Sequence, residues 1–111
     1  MANLPVTKPR YPDQDLRLID ASMRGDIDRT KALFQEGLDV NDTDSNGTTA
    51  LIMASSAGKL EIVKELLKAG AKLEPEDSLG YNAYSAAMFY GDYRGTTVEP
   101  FNKILELVKI E

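Results

Sequence analysis

A chain of 111 residues with 42% hydrophobic and 28% charged content has the size of one domain and enough apolar side chains to bury a core, which excludes a wholly disordered chain. A net charge of −5 argues against nucleic acid or an anionic membrane as partner, since both must be met by basic patches, and leaves a basic protein open. The chain holds neither cysteine nor histidine, so disulfides, thiolate chemistry and the commonest general base and metal ligand are out of reach.

Residues 1–14 carry Pro5, Pro9 and Pro12. Proline lacks a donor N–H and pushes its predecessor out of helix, so an extended arm is expected there. No apolar run reaches transmembrane length, and residues 1–14 lack the apolar stretch of a signal peptide. The default compartment is the cytoplasm; a periplasmic or secreted location would follow if the chain were a processed form.

A first helix is expected from about Asp15, carrying Leu16, Leu18, Ile19 and Ala21 and stopping near Gly25. A second, capped by Asp28, runs through Leu33 and Phe34 to Gly37. The turn that follows, residues 38–47, tucks Val40 inward and puts Asp42 to Asn46 at a polar tip, where Asp, Asn and Gly favour tight turns.

Residues 47–71 read as two short helices back to back. Thr49 can cap the first with its hydroxyl, Gly58 can end it in a left-handed conformation without a Cβ clash, and Gly70 can do the same for the second. Leu60, Val63, Leu66 and Leu67 fall on one helical face, with Glu61, Lys64, Glu65 and Lys68 around it. The outgoing turn, residues 72–80, repeats the earlier one with Leu73 in the place of Val40. Both tips are acidic: Asp39, Asp42 and Asp44 in one, Glu74, Glu76 and Asp77 in the other.

Asn82 can cap a further helix through Tyr84, Ala86, Ala87 and Phe89 to Gly91. Its partner helix is delayed. Aligning Ile104, Leu107 and Val108 with Val63, Leu66 and Leu67 requires an insertion of about eight residues, placed at about 92–99. Pro100 suits the first turn of the last helix, whose polar side holds Lys103, Glu106, Lys109 and Glu111.

These units superimpose at one constant spacing, the distance along the chain from Gly25 to Gly58. Ala21, Ala54 and Ala87 coincide, as do Gly25, Gly58 and Gly91, Gly37 and Gly70, and Asp44 and Asp77. A helix pair so short cannot bury both apolar faces alone, and a fixed period in this range means stacked repeats. On these residues the chain resembles the ankyrin-repeat family, whose core pattern is Gly-x-Thr-Pro-Leu-His-x-Ala-Ala. Here that core is Gly47-Thr48-Thr49-Ala50-Leu51-Ile52-Met53-Ala54-Ser55, with Ala50 where proline is usual and Ile52 where histidine is usual. The later Ile62-Val63-x-x-Leu66-Leu67-x-x-Gly70-Ala71 fits closely. The resemblance implies an all-α ankyrin-repeat solenoid of stacked helix-turn-helix pairs with projecting turn loops. A single domain would span residues 15–111, with repeats of about 15–43, 44–76 and 77–111.

Enzyme signatures are missing: there is no His-Glu-x-x-His, no glycine-rich phosphate loop and no Gly-x-Ser-x-Gly elbow. Asp39, Asp42 and Asp44 lack the spacing and the closing Glu of a calcium loop. No catalytic residue, metal or cofactor is therefore expected. Partner binding leaves a clearer trace, because six of the eight aromatic residues lie beyond position 80. Tyr84 and Phe101 are most simply core. The family resemblance implies a binding surface at the turn tips and the exposed side of each first helix. That surface is Met23 and Arg24 in repeat one, Ser45, Asn46, Thr48, Ser56 and Ala57 in repeat two, and Ser78, Leu79, Tyr81, Phe89 and Tyr90 in repeat three. Asp92, Tyr93 and Arg94 join it from the inserted loop, since an insertion often maps to the binding side. Aromatic side chains are favoured anchors because they bury much area at little rotamer cost.

The expected function is a non-enzymatic protein–protein interaction module that meets a folded partner through the concave side of repeats two and three. With three repeats and no appended domain, binding and blocking would itself be the role, as in an inhibitor or immunity protein. By resemblance, small stand-alone ankyrin proteins of bacteria sometimes protect the producer from its own enzyme or toxin. A monomer is expected; the alternative is a structural scaffold or a self-associating assembly piece.

Overall fold

Among the described residues short helices alternate with glycine-bearing turns. The computed structural model describes residues 13–93 and 100–110. Among the described residues there are six helices: α1 (Asp13–Arg24), α2 (Ile27–Gln35), α3 (Ala50–Ala57), α4 (Leu60–Lys68), α5 (Ala83–Tyr93) and α6 (Phe101–Val108). The fold is all-α, and its one β feature among those residues is an isolated antiparallel bridge between Thr43 and Thr49. The helices form two layers. In one, α3 packs against both α1 and α5; in the other, α4 packs against both α2 and α6.

Side chains at the helix starts satisfy N–H groups that have no partner in the first turn. Thr49 Oγ1 accepts from the Ile52 N–H at 3.1 Å. Asn82 Oδ1 accepts from the Ser85 N–H at 2.9 Å, and Ser85 Oγ accepts from the Asn82 N–H at 3.0 Å, a reciprocal box. The cap of α2 is Asp26 rather than the expected Asp28: Asp26 is extended and its carboxylate accepts from the Arg29 N–H at 3.1 Å. Asp28 lies inside the first turn, where its charge still complements the helix dipole.

Gly58 closes α3 at φ +74, and a Cβ there would stand 2.9 Å from Phe101 Cζ, so both backbone geometry and space demand glycine. Gly91, the equivalent position one repeat on, behaves differently: α5 runs through it to Tyr93 instead of stopping there. At the other end, α1 begins at Asp13, slightly ahead of the expected Asp15.

The core is mainly aliphatic, with alanine where neighbouring helices of the first layer meet. Leu51, Ile62, Val63, Leu66, Ile104 and Val108 are fully buried, each contributing about 1.5–3 kcal/mol by leaving water. Val40 and Phe101 are buried as expected, and Tyr84 packs half-buried against the core. The expected face of α4 omitted Ile62, which is buried because α2, α3 and α6 surround that helix. In α6, Val108 is fully buried whereas Leu107 is 39% exposed. Ile104 and Val108 therefore take the places of Ile62 and Leu66, each one position earlier in the repeat than the alignment of apolar residues with Val63 and Leu67 put them.

Two turns project from the layers with the same internal wiring. Asp44 Oδ1 accepts from the N–H groups of Asn46 and Thr48 at 2.8 and 3.0 Å, and Asp77 Oδ1 accepts from those of Leu79 and Tyr81, both at 2.9 Å. The tips are tied together by the Ser78 N–H donating to Asn46 O at 2.8 Å. Further in, Asn41 Oδ1 accepts from the Lys72 N–H at 2.8 Å.

Candidate functional site

The first-helix layer and the two tips enclose a groove of about 150 Å³ between α3 and α5. Its floor comes from Ile52, Met53 and Ala86, and its sides from Tyr81, Tyr90, Ser56 and Leu79, with Thr48 and Asp77 at the turn end. Sequence determines this arrangement directly. Thr49 and Asn82 start both helices at matching heights, and the small Ala54 and Ala87, both fully buried, let α3 and α5 approach closely.

Tyr81, Phe89 and Tyr90 form one aromatic cluster. The Tyr81 and Phe89 ring centroids lie 5.6 Å apart at a tilt of 37°, and those of Phe89 and Tyr90 lie 5.0 Å apart, edge to face. Both separations fall where aromatic pairs attract beyond simple burial, by about 0.5–1.5 kcal/mol. The rings nevertheless stay available: Phe89 is 45% exposed and Tyr90 39%. Beside them Leu79 is 80% exposed, held out by its N–H bond to Asp77, and Met88 is also exposed.

Other expected site residues are placed with different roles. Ser56 is half-buried on the groove, and its hydroxyl donates to Met53 O at 2.9 Å. Asn46 and Ser78 are exposed and meet through their backbones. Met23 and Arg24 are exposed on α1, where Arg24 pairs with Asp20 at 3.0 Å. Asp92 and Tyr93 fall within the helical span of α5, but their side chains lie outside the described residues, as does Arg94 entirely. The acidic tips, read as a solvated patch, also do structural work: Asp39, Asp44 and Asp77 each accept from backbone N–H groups of their own turn.

Sequence reasoning missed the groove floor. Ile52 and Met53 sit inside the pattern that identifies the repeat and carry no surface signal of their own. The available signal was the period itself, which pairs Met53 with Ala86 and leaves space where a large side chain faces a small one.

Comparison with known proteins agrees with this architecture. Residues 18–98 match the family model described as ankyrin repeats in three copies. The chain is 35% identical over 78 residues to a serine/threonine-protein kinase 12 of Arabidopsis thaliana, and 40% identical over 68 residues to an L-asparaginase of Dirofilaria immitis. It is 34% identical over 64 residues to a putative ankyrin repeat protein, YahD, of Escherichia coli K12. These alignments take in 70%, 61% and 58% of this chain but only 17%, 12% and 32% of the relatives. Likeness is thus confined to a repeat segment of longer proteins. No helix among the described residues is long and apolar enough to cross a membrane.

Proposed function

The chain belongs to the ankyrin-repeat family, and we propose that it binds a folded protein partner through the groove between α3 and α5 and the aromatic cluster beside it. Ankyrin repeats are protein–protein interaction modules, generally without catalysis of their own, although enzymes such as the kinase and the asparaginase above can carry them. The single observation that carries the choice of surface is the mutually packed, half-exposed trio of Tyr81, Phe89 and Tyr90 next to the protruding Leu79. A prepacked aromatic cluster loses little rotamer entropy on binding, so the area it buries converts efficiently into affinity.

The mode of action is occupation: a partner such as an enzyme or toxin is blocked by being bound, as with an inhibitor or immunity protein. Support for this is chemical. Among the described residues the surface offers apolar and aromatic area beside carboxylates, the chemistry of a contact surface. The test is affinity for the captured partner, measured by calorimetry. Phe89→Ala with Tyr90→Ala should weaken the complex by more than ~2 kcal/mol. An unchanged affinity in that double variant moves the contact surface elsewhere. Sedimentation of the isolated chain at micromolar concentration should give a monomer; a dimer lost on the same substitutions would mean that the aromatic surface serves self-association.

A further inference from the structure

Charge is distributed unevenly between the tips with α3 and α5 and the other helices. Residues 39–57 and 73–90, which form both tips and most of α3 and α5, hold six carboxylates and neither Lys nor Arg. The ion pairs formed by the cations of α1, α2 and α4 engage Glu36, Asp20, Glu65 and Glu61. None of those contacts reaches Asp44, Glu74, Glu76 or Asp77. Where Asp44 and Asp77 accept hydrogen bonds, the donors are neutral backbone amides, which fix the carboxylates without cancelling their charge.

The groove lies within this anionic surface, and Asp77 lines it. Its volume of about 150 Å³ is below the roughly 300–1,000 Å³ of small-molecule sites and suits one long side chain. Ile52, Met53 and Ala86 give it an apolar floor, and the rings of Tyr81 and Tyr90 stand at its sides. An apolar stem ending in a flat, weakly hydrated cation satisfies all of these features together. Methylenes cover the floor, a planar cation stacks on an aromatic face, and its donors meet a carboxylate. Lysine meets them less well, because its ammonium is compact, strongly hydrated and unable to stack.

We propose that the groove between α3 and α5 receives an arginine side chain of the partner protein, with the guanidinium held between the tyrosine rings and Asp77. The inference rests on the protein-binding reading above and names the chemistry by which the partner is recognised.

The test is titration of the whole ¹⁵N-labelled chain with acetyl-Gly-Arg-Gly-amide, alongside the lysine peptide and the citrulline peptide, a neutral near-isostere. The expected result is saturable shifts at the amides of Ile52, Met53, Leu79 and Tyr81, with affinity at least fivefold weaker for citrulline and intermediate for lysine. Tyr90→Ala should weaken arginine binding at least fivefold. Asp77→Asn should weaken it about threefold, since an amide oxygen still accepts from the Leu79 and Tyr81 N–H groups and keeps the turn while the charge is lost. Equal shifts with arginine and citrulline, or non-saturating shifts spread over both tips, would overturn the arginine site. That outcome leaves the protein-binding surface standing if Phe89→Ala with Tyr90→Ala still weakens the partner complex. An unchanged partner complex in the double variant overturns both.

Discussion

Helices α3 and α5 lie side by side and hold equivalent positions in successive repeats. Ala50 and Ala83 are buried in matching places, as are Ala54 and Ala87. On the open side the residues diverge: Asn46 corresponds to Leu79, Thr48 to Tyr81, Ser56 to Phe89 and Ala57 to Tyr90. Alanine recurs where two helices must approach closely, since a larger side chain there would push the layer apart. The substitutions gather where added volume meets water instead of a neighbour. Repeat two therefore serves as the reference surface, and repeat three is the same scaffold with large aromatic and aliphatic side chains mounted on it.

The largest expected effect tests which residues of the two second helices hold equivalent places. Leu66→Ala empties a fully buried site and should cost about 2–5 kcal/mol in urea denaturation followed by circular dichroism. Leu107→Ala should cost less than about 1 kcal/mol, because Val108 fills that place and Leu107 faces solvent. Similar losses for the two would restore the alignment read from apolar spacing.

Next come the glycines. Gly58→Ala should destabilise by about 2 kcal/mol, from a strained left-handed backbone and the contact with Phe101. Gly91→Ala, at the equivalent place but within a continuous helix, should stabilise by about 0.5–1 kcal/mol. Thermal melts of both variants give the opposite signs directly, and a loss at Gly91 would show that α5 needs glycine there.

The smallest effect concerns two buried hydroxyls. Ser22 and Ser55, again one repeat apart, are fully buried and make no hydrogen bond through Oγ among the described residues. A hydroxyl without a partner is unfavourable in such a place, so Ser55→Ala should raise stability by up to about 1 kcal/mol, with Ser22→Ala alike. Destabilisation by either would reveal packing or bonding that the alanine removes.

The fold was legible because its rules are local and repeat. Thr49, Asn82, Gly58 and the aliphatic spacing of α4 each specify their own piece of structure, and the constant period joins the pieces. Errors arose where local signals compete. Asp26 and Asp28 are both good caps, and only the chain reversal at Gly25 decides between them. Gly91 looked like a stop because Gly58 is one, yet its helix continues. The exposed rings could be chosen from sequence because the family resemblance, carried over position by position, implies an open face for them. The contact of Tyr81 with Phe89 and the floor under the groove depend on how two helices sit beside each other, which neither helix encodes alone.

Phe101 has a consequence for how this protein can change. Its ring covers Gly58 and so fixes the first residue of α6 to the corner between α3 and α4, while α6 also packs along α5, and α5 along α3. The connection between Tyr93 and Pro100 thus joins two points whose separation it does not set. Doubling such a connection adds only about 0.6 kcal/mol of closure entropy. A change in the length of that connection is therefore expected to cost little while the two helix layers stay in register.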